Sequence, residues 1–598
     1  MNAFSPQLGL DFGSNAFLEP ELKPAGEGAA TGPAIPAGRV QLVQLRFQSV
    51  LTARMRVLLI AAVFAIVAFV AIIRIVWLGF AGHAPSQSSL ADQLLPPRGE
   101  ITDRNGAPLA RAFPAYALWY DPDAMGDGGA PLVAAPNEVA AQLKSIFPDM
   151  DEAKTAERLA TGRAGYLRRR VLPEDANQVF DLGEIALQFP QETDRHYPQG
   201  RLGAHILGYV VEQQGGQLGM EQVLEKRLSD PDLRGEPVPL SIDVRVQGAL
   251  EDELNRGMLA TNAIGAAGVV LDVDTGEVLA LASLPEFDPN IVGADGAPNV
   301  FNRATNGVYE LGSTFKPLTV AAAIDAGVVR NLSKAWNARP VEVGTRTIQD
   351  LKPKGSTLNV PQALVYSSNT VTARIADEMG SDRLQQMLVD LRMDKRPFIE
   401  LPAKGKPLWP QDPSNRHTNM VIGYGHSLAV TPLHLANAYA AMVNGGIWRP
   451  STLHKLAPED VPRGKRVFKA STSARMRQML RMISIYGTGR SANAPGFRVG
   501  GKTGSAEKPN ARGGYSERKI ISTFAAAFPM DRPRYVIVTM IDEPRGTRAS
   551  SFQRTAAFNA APVVGRLVPR IGPMLGVRPD ANRDVDISDL RYLVEGRK

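Results

Sequence analysis

The sequence contains no cysteine, and this one absence removes disulfides, thiolate zinc sites and cysteine nucleophiles together. Although the net charge is +7, no Lys/Arg run is interleaved with aromatics on which bases could stack, which argues against a nucleic-acid groove. Residues 1–50, centred on the Gly-, Pro- and Ala-rich AGEGAATGPAIPAG, lack any sustained hydrophobic period. They read as a disordered tail, extending to residue 56. Residues 81–240 mix short strand-like runs with amphipathic pieces such as EVAAQLKSIF, and no catalytic constellation falls among them.

What is present is enough for several folded units. A chain of 598 residues exceeds one ordinary core, and 44% hydrophobic with 21% charged residues places the whole near globular averages. Residues 57–73, VLLIAAVFAIVAFVAII, carry no charge, and IVWLGF follows Arg74. The run 57–80 is long enough to cross a bilayer of about 30 Å at about 1.5 Å per residue. Arg39, Arg46, Arg54 and Arg56 precede it, and the next basic residue after Arg74 is Arg98. By the positive-inside rule the N-terminus is cytoplasmic and the remainder lies outside. Arg74 and Trp77 suit the outer interface, and the long preceding tail favours a retained anchor over a cleaved signal peptide.

Past the membrane segment, Asp103-Arg104-Asn105-Gly106 separates two extended runs as a hairpin turn does. At Ser241 the character changes. SIDVRVQGALEDELNRGM begins a helix, and GAAGVVLDVDTGEVLALAS alternates as two strands about Asp274-Thr275-Gly276. KIISTFAAAF and RYVIVTMID are further apolar strands, with helical stretches such as TPLHLANAYAAMVNGG before them. The pattern predicts, over 241–576, an α/β domain with an antiparallel sheet flanked by helices. An α+β pedestal over 81–240 precedes it, and a charged, peripheral tail over 577–598 follows.

Three short motifs carry chemistry. Ser313 and Lys316 sit three residues apart at the start of a helix that ends at Gly327, so one face presents a hydroxyl and an amine that can take its proton. The bland alternative is a helix cap, and Ser505–Lys508 and Ser516–Lys519 show the spacing recurring elsewhere. Ser367-Ser368-Asn369 occupies a polar break between LNVPQALVY and TVTARIADEMG, where a hydroxyl can relay a proton and an amide can hold a substrate amide; Ser491-Ala492-Asn493 repeats that pattern. Lys502-Thr503-Gly504, followed by Ser505, lies in extended context, where an edge strand offers backbone groups to a peptide and Lys502 and Thr503 suit a terminal carboxylate. K-T-G occurs once.

The ordered set S-x-x-K, S-x-N, K-T-G resembles the active-site signature of penicillin-binding proteins and class A β-lactamases. The likeness extends through RGEITDRNGAPLA (98–110), RHYPQGRLGAHILGYV (195–210), GQLGMEQVLEKRL (216–228) and LDVDTGEVLALASLPEFDPN (271–290) to the class B penicillin-binding proteins. NRATNGVYELGSTFK (302–316) and GYGHSLAVTPLHLANAYAAMVNGG (423–446) are similar to the division-specific class B enzymes. That resemblance implies Ser313 as nucleophile, Lys316 as base and Ser367 as proton relay. It implies Asn369, Lys502, Thr503 and Gly504 at the substrate, and the backbone N–H groups of Ser313 and Ser505 as oxyanion hole. It implies no metal or organic cofactor, D-Ala-D-Ala stem peptides as substrate, β-lactams as covalent inhibitors, and a polytopic glycosyltransferase, FtsW, among divisome partners. The elongation-specific enzyme shares the motifs, as do D,D-carboxypeptidases, β-lactamases and β-lactam sensors. The large module before the motifs disfavours the hydrolases, and the short cytoplasmic tail disfavours a sensor.

Overall fold

The computed structural model describes residues 54–74, 96–124, 126, 132–211, 214–292, 296–509 and 514–595. The expected disordered tail up to residue 53, Trp77 and residues 75–80 of the expected span lie outside them. The chain divides into two units, Met1–Leu90 and Ala91–Lys598. Within the first, helix Arg54–Arg74 has mean hydropathy 2.9 over its most apolar window. At 1.5 Å rise it reaches about 31 Å, long enough to cross a membrane.

The second unit opens with a small sheet. Ile101–Thr102 pairs antiparallel with Pro108–Tyr120, across a turn in which Asp103 Oδ1 accepts from Asn105 and Ala107 N–H, each at 2.8 Å. Pro108–Tyr120 also pairs with Gly165–Val171 and Gln191–His196. The amphipathic stretch after it forms helix Pro136–Ile146, which buries Val139, Ala140 and Leu143 against Leu118 and Tyr120. Three of the sequence segments quoted above converge on one buried ionic cluster. Glu221, fully buried, meets Arg98 at 2.8 Å and Arg195 at 2.7 Å, and Arg98 also reaches Glu225 at 2.8 Å. Buried charges persist when paired this way, because a lone one would carry an uncompensated desolvation penalty.

The joint to the second module is tied by short polar contacts. Asp243 caps helix α1, Val244–Ala260, while Asn105 of the first turn donates to Asp243 at 3.2 Å. Ser241 donates its hydroxyl to Val278 O and its N–H to Leu453 O, both at 2.7 Å. Beyond it stand β1, Gly265–Asp272, and β2, Val278–Leu284. The other strands arrive much later: β3, Gly500–Pro509; β4, Tyr515–Phe528; and β5, Tyr535–Asp542. The order is β2-β1-β5-β4-β3, antiparallel throughout. The first two strands and β5 are buried along almost their whole length because both faces of the sheet are covered, and alternate residues serve different cores. Ala266 and Val270 pack with α1 and with α7, Ala560–Met574. Ala267, Val269 and Leu271 face the other layer.

That layer holds α2, Lys316–Asp325; α3, Val360–Tyr366; α4, Asn369–Met379; α5, Pro432–Val443; and α6, Ala470–Tyr486. All twelve residues of α5 are buried, and its two polar members are satisfied there: His434 Nε2 lies 2.9 Å from Lys395 O and Asn437 Oδ1 accepts from Ser451 at 2.6 Å. The C-terminal stretch departs from expectation. Instead of lying peripheral, it forms helix α8, Ser588–Glu595, whose Leu590 and Leu593 are buried in the same core as α3. Asn359, the cap of α3, donates to Leu593 O at 2.8 Å. The charge that suggested a solvated tail is used in contacts such as Arg481–Asp584 at 2.7 Å.

Candidate active site

Ser313 is the second residue of a 3-10 turn, Gly312–Phe315, that feeds directly into α2. It is half-buried, and its hydroxyl caps neither element. The turn lies tight against β3. Gly312 has φ +55°, and a Cβ there would stand 2.9 Å from Ser505 O. At Gly504 a Cβ would come within 2.2 Å of Leu311 O. Only hydrogen at these two α-carbons lets the strand pass so close to Ser313 that the backbones at 313 and 505 lie side by side.

Lys316 and Lys502 are both wholly buried. Lys316 Nζ lies 2.5 Å from Ser367 O, 2.6 Å from Asn369 Oδ1 and 3.2 Å from Ser367 Oγ. Lys502 Nζ also reaches Ser367 Oγ, at 3.0 Å, and Thr503 O at 3.0 Å. One hydroxyl therefore bridges two amines. Burial pulls Lys316 well below the ordinary lysine range, and the neighbouring Lys502 charge pulls it further, against a smaller opposing pull from Asp350. Burial lowers Lys502 to about 7. No hydrogen bond joins Ser313 Oγ to Lys316 Nζ among the described residues.

The S-S-N tip owes its shape to Ser367 in the left-handed region, φ +61°, between α3 and α4. Its neighbour Ser368 is the helix cap, accepting from Val371 N–H and donating to Asp350 Oδ2 at 2.7 Å. The bland role of a motif serine thus falls to Ser368, and Ser367 is left to face the lysines. Asp350 also accepts from Thr370 N–H at 2.9 Å, so it clamps the tip. Thr503 Oγ1 lies 2.6 Å from Thr488 Oγ1. Ser505 turns its hydroxyl away to accept from Ala556 N–H at 3.1 Å, leaving its backbone toward the turn.

Neither Asp350 nor Thr488 carries a sequence signal. Glu310, three residues before Ser313, gathers further groups. It accepts from Ser427 N–H at 2.9 Å and from the Tyr515 hydroxyl at 2.8 Å, and His426 Nδ1 lies 3.0 Å away. The rival S-x-x-K pairs lie on strands, where that spacing does not bring side chains onto one face. Lys508 is paired with Asp542 at 2.5 Å and Lys519 faces Glu543 at 3.9 Å. Asn493, of the rival S-x-N, accepts from Arg481 at 2.7 Å. No cluster of metal-ligating side chains occurs among the described residues.

This architecture is that of the bimodular penicillin-binding transpeptidases. The family described as penicillin binding protein transpeptidase domain matches residues 266–562, and the penicillin-binding protein dimerisation domain matches 93–237. "Probable peptidoglycan D,D-transpeptidase FtsI" of Caulobacter vibrioides is 35% identical over 539 residues, covering 88% of this chain and 89% of that one. "Peptidoglycan D,D-transpeptidase FtsI" of Escherichia coli K12 is 31% identical, covering 83% and 86%. "Stage V sporulation protein D" of Bacillus subtilis is 29% identical, covering 82% and 80%. The crystal structure of penicillin binding protein 3 from Mycobacterium tuberculosis with aztreonam shares the fold, at TM-score 0.62 and 24% identity over 82% of this chain and 99% of that one. The chain belongs to the FtsI family of peptidoglycan D,D-transpeptidases within the class B penicillin-binding proteins.

Proposed function

We propose that this chain cross-links peptidoglycan stem peptides at the division septum through an acyl-enzyme on Ser313. The observation that carries the reading is the buried pair of lysines sharing Ser367. As a neutral amine, Lys316 directs its two N–H bonds at Ser367 O and Asn369 Oδ1, which only accept. Its lone pair remains for a hydroxyl proton.

Ser313 Oγ attacks the carbonyl of the penultimate D-alanine and its proton passes to Lys316. The backbone N–H groups of Ser313 and Ser505 hold the resulting oxyanion. The C–N bond then breaks, and Ser367 gives its proton to the leaving amine while drawing one from Lys316. Lys502 and Thr503 hold the terminal carboxylate of the departing D-alanine, Gly504 keeps the strand close, and Asn369 holds donor backbone. An amine of a second stem attacks the ester and its proton returns by the same relay to Ser313 Oγ. The C–O bond breaks and a new amide remains. β-Lactams acylate the same oxygen.

Helix Arg54–Arg74 serves as the anchor, with the N-terminus cytoplasmic and the catalytic module periplasmic, as the arginines before residue 57 support. An export-dependent reporter fused after residue 90 should be active; a silent one would reverse the topology. The family likeness supports FtsW as partner through 57–80 and 81–240. Depletion should give filaments; round cells would instead assign the elongation role.

Fluorescent penicillin tests the chemistry. Ser313→Ala should abolish labelling, and Lys316→Gln should slow it by about 10² to 10⁴, the usual cost of losing a general base. Wild-type labelling of either folded variant would sink the reading.

A further inference from the structure

A groove leaves the site at Glu310 and follows the last residues of β3. Its first part, about 370 Å³, has Leu408, Trp409, Ala429 and Ile521 as an apolar floor, with Glu310 and Lys508 among its edges. Val308 and Tyr309 line both this part and an open basin of about 620 Å³ beyond. The basin wall holds Arg303, Arg396, Lys404, Lys406 and Lys508 against one carboxylate, Asp542.

Two of these cations are already answered. Asp542 meets Arg303 at 3.4 Å and Lys508 at 2.5 Å, and Glu543 meets Lys508 at 2.9 Å. The other three are different. Arg396 donates to Lys404 O, Lys404 Nζ donates to Ile399 O at 2.9 Å, and Lys406 is exposed. Among the described residues none of the three has an ion-pair partner, so the wall keeps a positive field.

Direction along β3 says what meets that field. If Lys502 and Thr503 take the donor's terminal carboxylate and Ser505 N–H its scissile carbonyl, the donor's upstream residues run toward Lys508. From Ser505 to Lys508 is about 10 Å at about 3.3 Å per residue, roughly three donor residues. We propose that this groove binds the stem residues upstream of the D-alanyl pair, with aliphatic stems on the Trp409 floor and free carboxylates in the basin of Arg396, Lys404 and Lys406. The inference rests on the Ser313 reading and adds a substrate class: anionic stems are favoured over amidated ones.

The test uses the full chain with two soluble donors ending in D-Ala-D-Ala, identical except that the upstream carboxylates are free or converted to carboxamides. The free-acid donor should acylate roughly tenfold faster, the scale of three screened charge contacts together. The gap should close in Arg396→Gln/Lys404→Gln/Lys406→Gln, while penicillin, which lacks an upstream peptide, labels that variant as it labels wild type. In wild type the gap should also shrink at high ionic strength, a readout that needs no substitution. Equal rates for the two donors, or a gap indifferent to both salt and substitution, would overturn the groove assignment. Absence of penicillin labelling in wild type would instead remove the Ser313 reading and the groove with it.

Discussion

Ser367 Oγ stands 3.2 Å from one lysine nitrogen and 3.0 Å from another, and neither amine can behave there as it does in water. Both are buried, and the Lys502 charge adds to the cost of charging Lys316. Lys502, at about 7, titrates where cells live, whereas Lys316 is pushed well below the ordinary lysine range. A group that must be charged to hold a carboxylate loses that ability as pH rises through its pKa. Penicillin acylation kcat/KM should therefore fall above about pH 7, and Lys502→Arg, which stays charged, should move that falling limb upward out of the range. An unchanged limb in a folded, active arginine variant would detach it from Lys502. The motif residues were legible because each is a reactive type at a distinctive spacing. Asp350 was not, since an isolated aspartate in a loop is indistinguishable from a solvated one until the fold brings it to the S-S-N tip.

At the scale of elements, periodicity located the hairpin around residues 274–276 and α1, and the largely apolar runs KIISTFAAAF and RYVIVTMID located β4 and β5. It failed at the C-terminus. Helix α8 has only two buried leucines among charged residues, a stripe too narrow to outweigh composition. Its partner is α3, whose C-terminal end carries Ser367. Truncation after residue 586 would expose that surface and remove the bond from Asn359 to Leu593. Burying two leucines is worth roughly 3–6 kcal/mol, so the truncated protein should melt several degrees lower. Because α3 ends at Ser367, the proposed relay, it should also acylate more slowly than the intact chain when both are folded. An unaltered melting temperature in thermal unfolding would show that the helix contributes nothing.

Across the whole molecule, the two modules meet at a titratable contact. Half-buried Glu251 of α1 accepts from Gly203 N–H at 3.0 Å and from Gln247 at 2.7 Å, and burial raises its carboxyl to about 7. The folded state therefore holds a proton that the unfolded chain releases near 4.5. The associated stability is fully present below that pH and is lost as pH climbs through about 7. Glu251→Gln should flatten the stability curve between those values by on the order of 1–2 kcal/mol; a curve as steep as wild type would remove Glu251 as its source. The meeting of segments far apart in sequence was the least readable feature, because composition and period report only local order. The sheet makes the point most sharply. Its centre pairs β1 with β5, so the segment bearing Ser313 and the strand bearing Lys502 are joined only once residues near 542 are available. On the proposed topology a chain threading outward through the membrane has no acylatable serine for most of its passage. The enzyme becomes vulnerable to a β-lactam only after export is nearly complete, so a drug pulse should spare nascent chains and capture only those that have finished crossing.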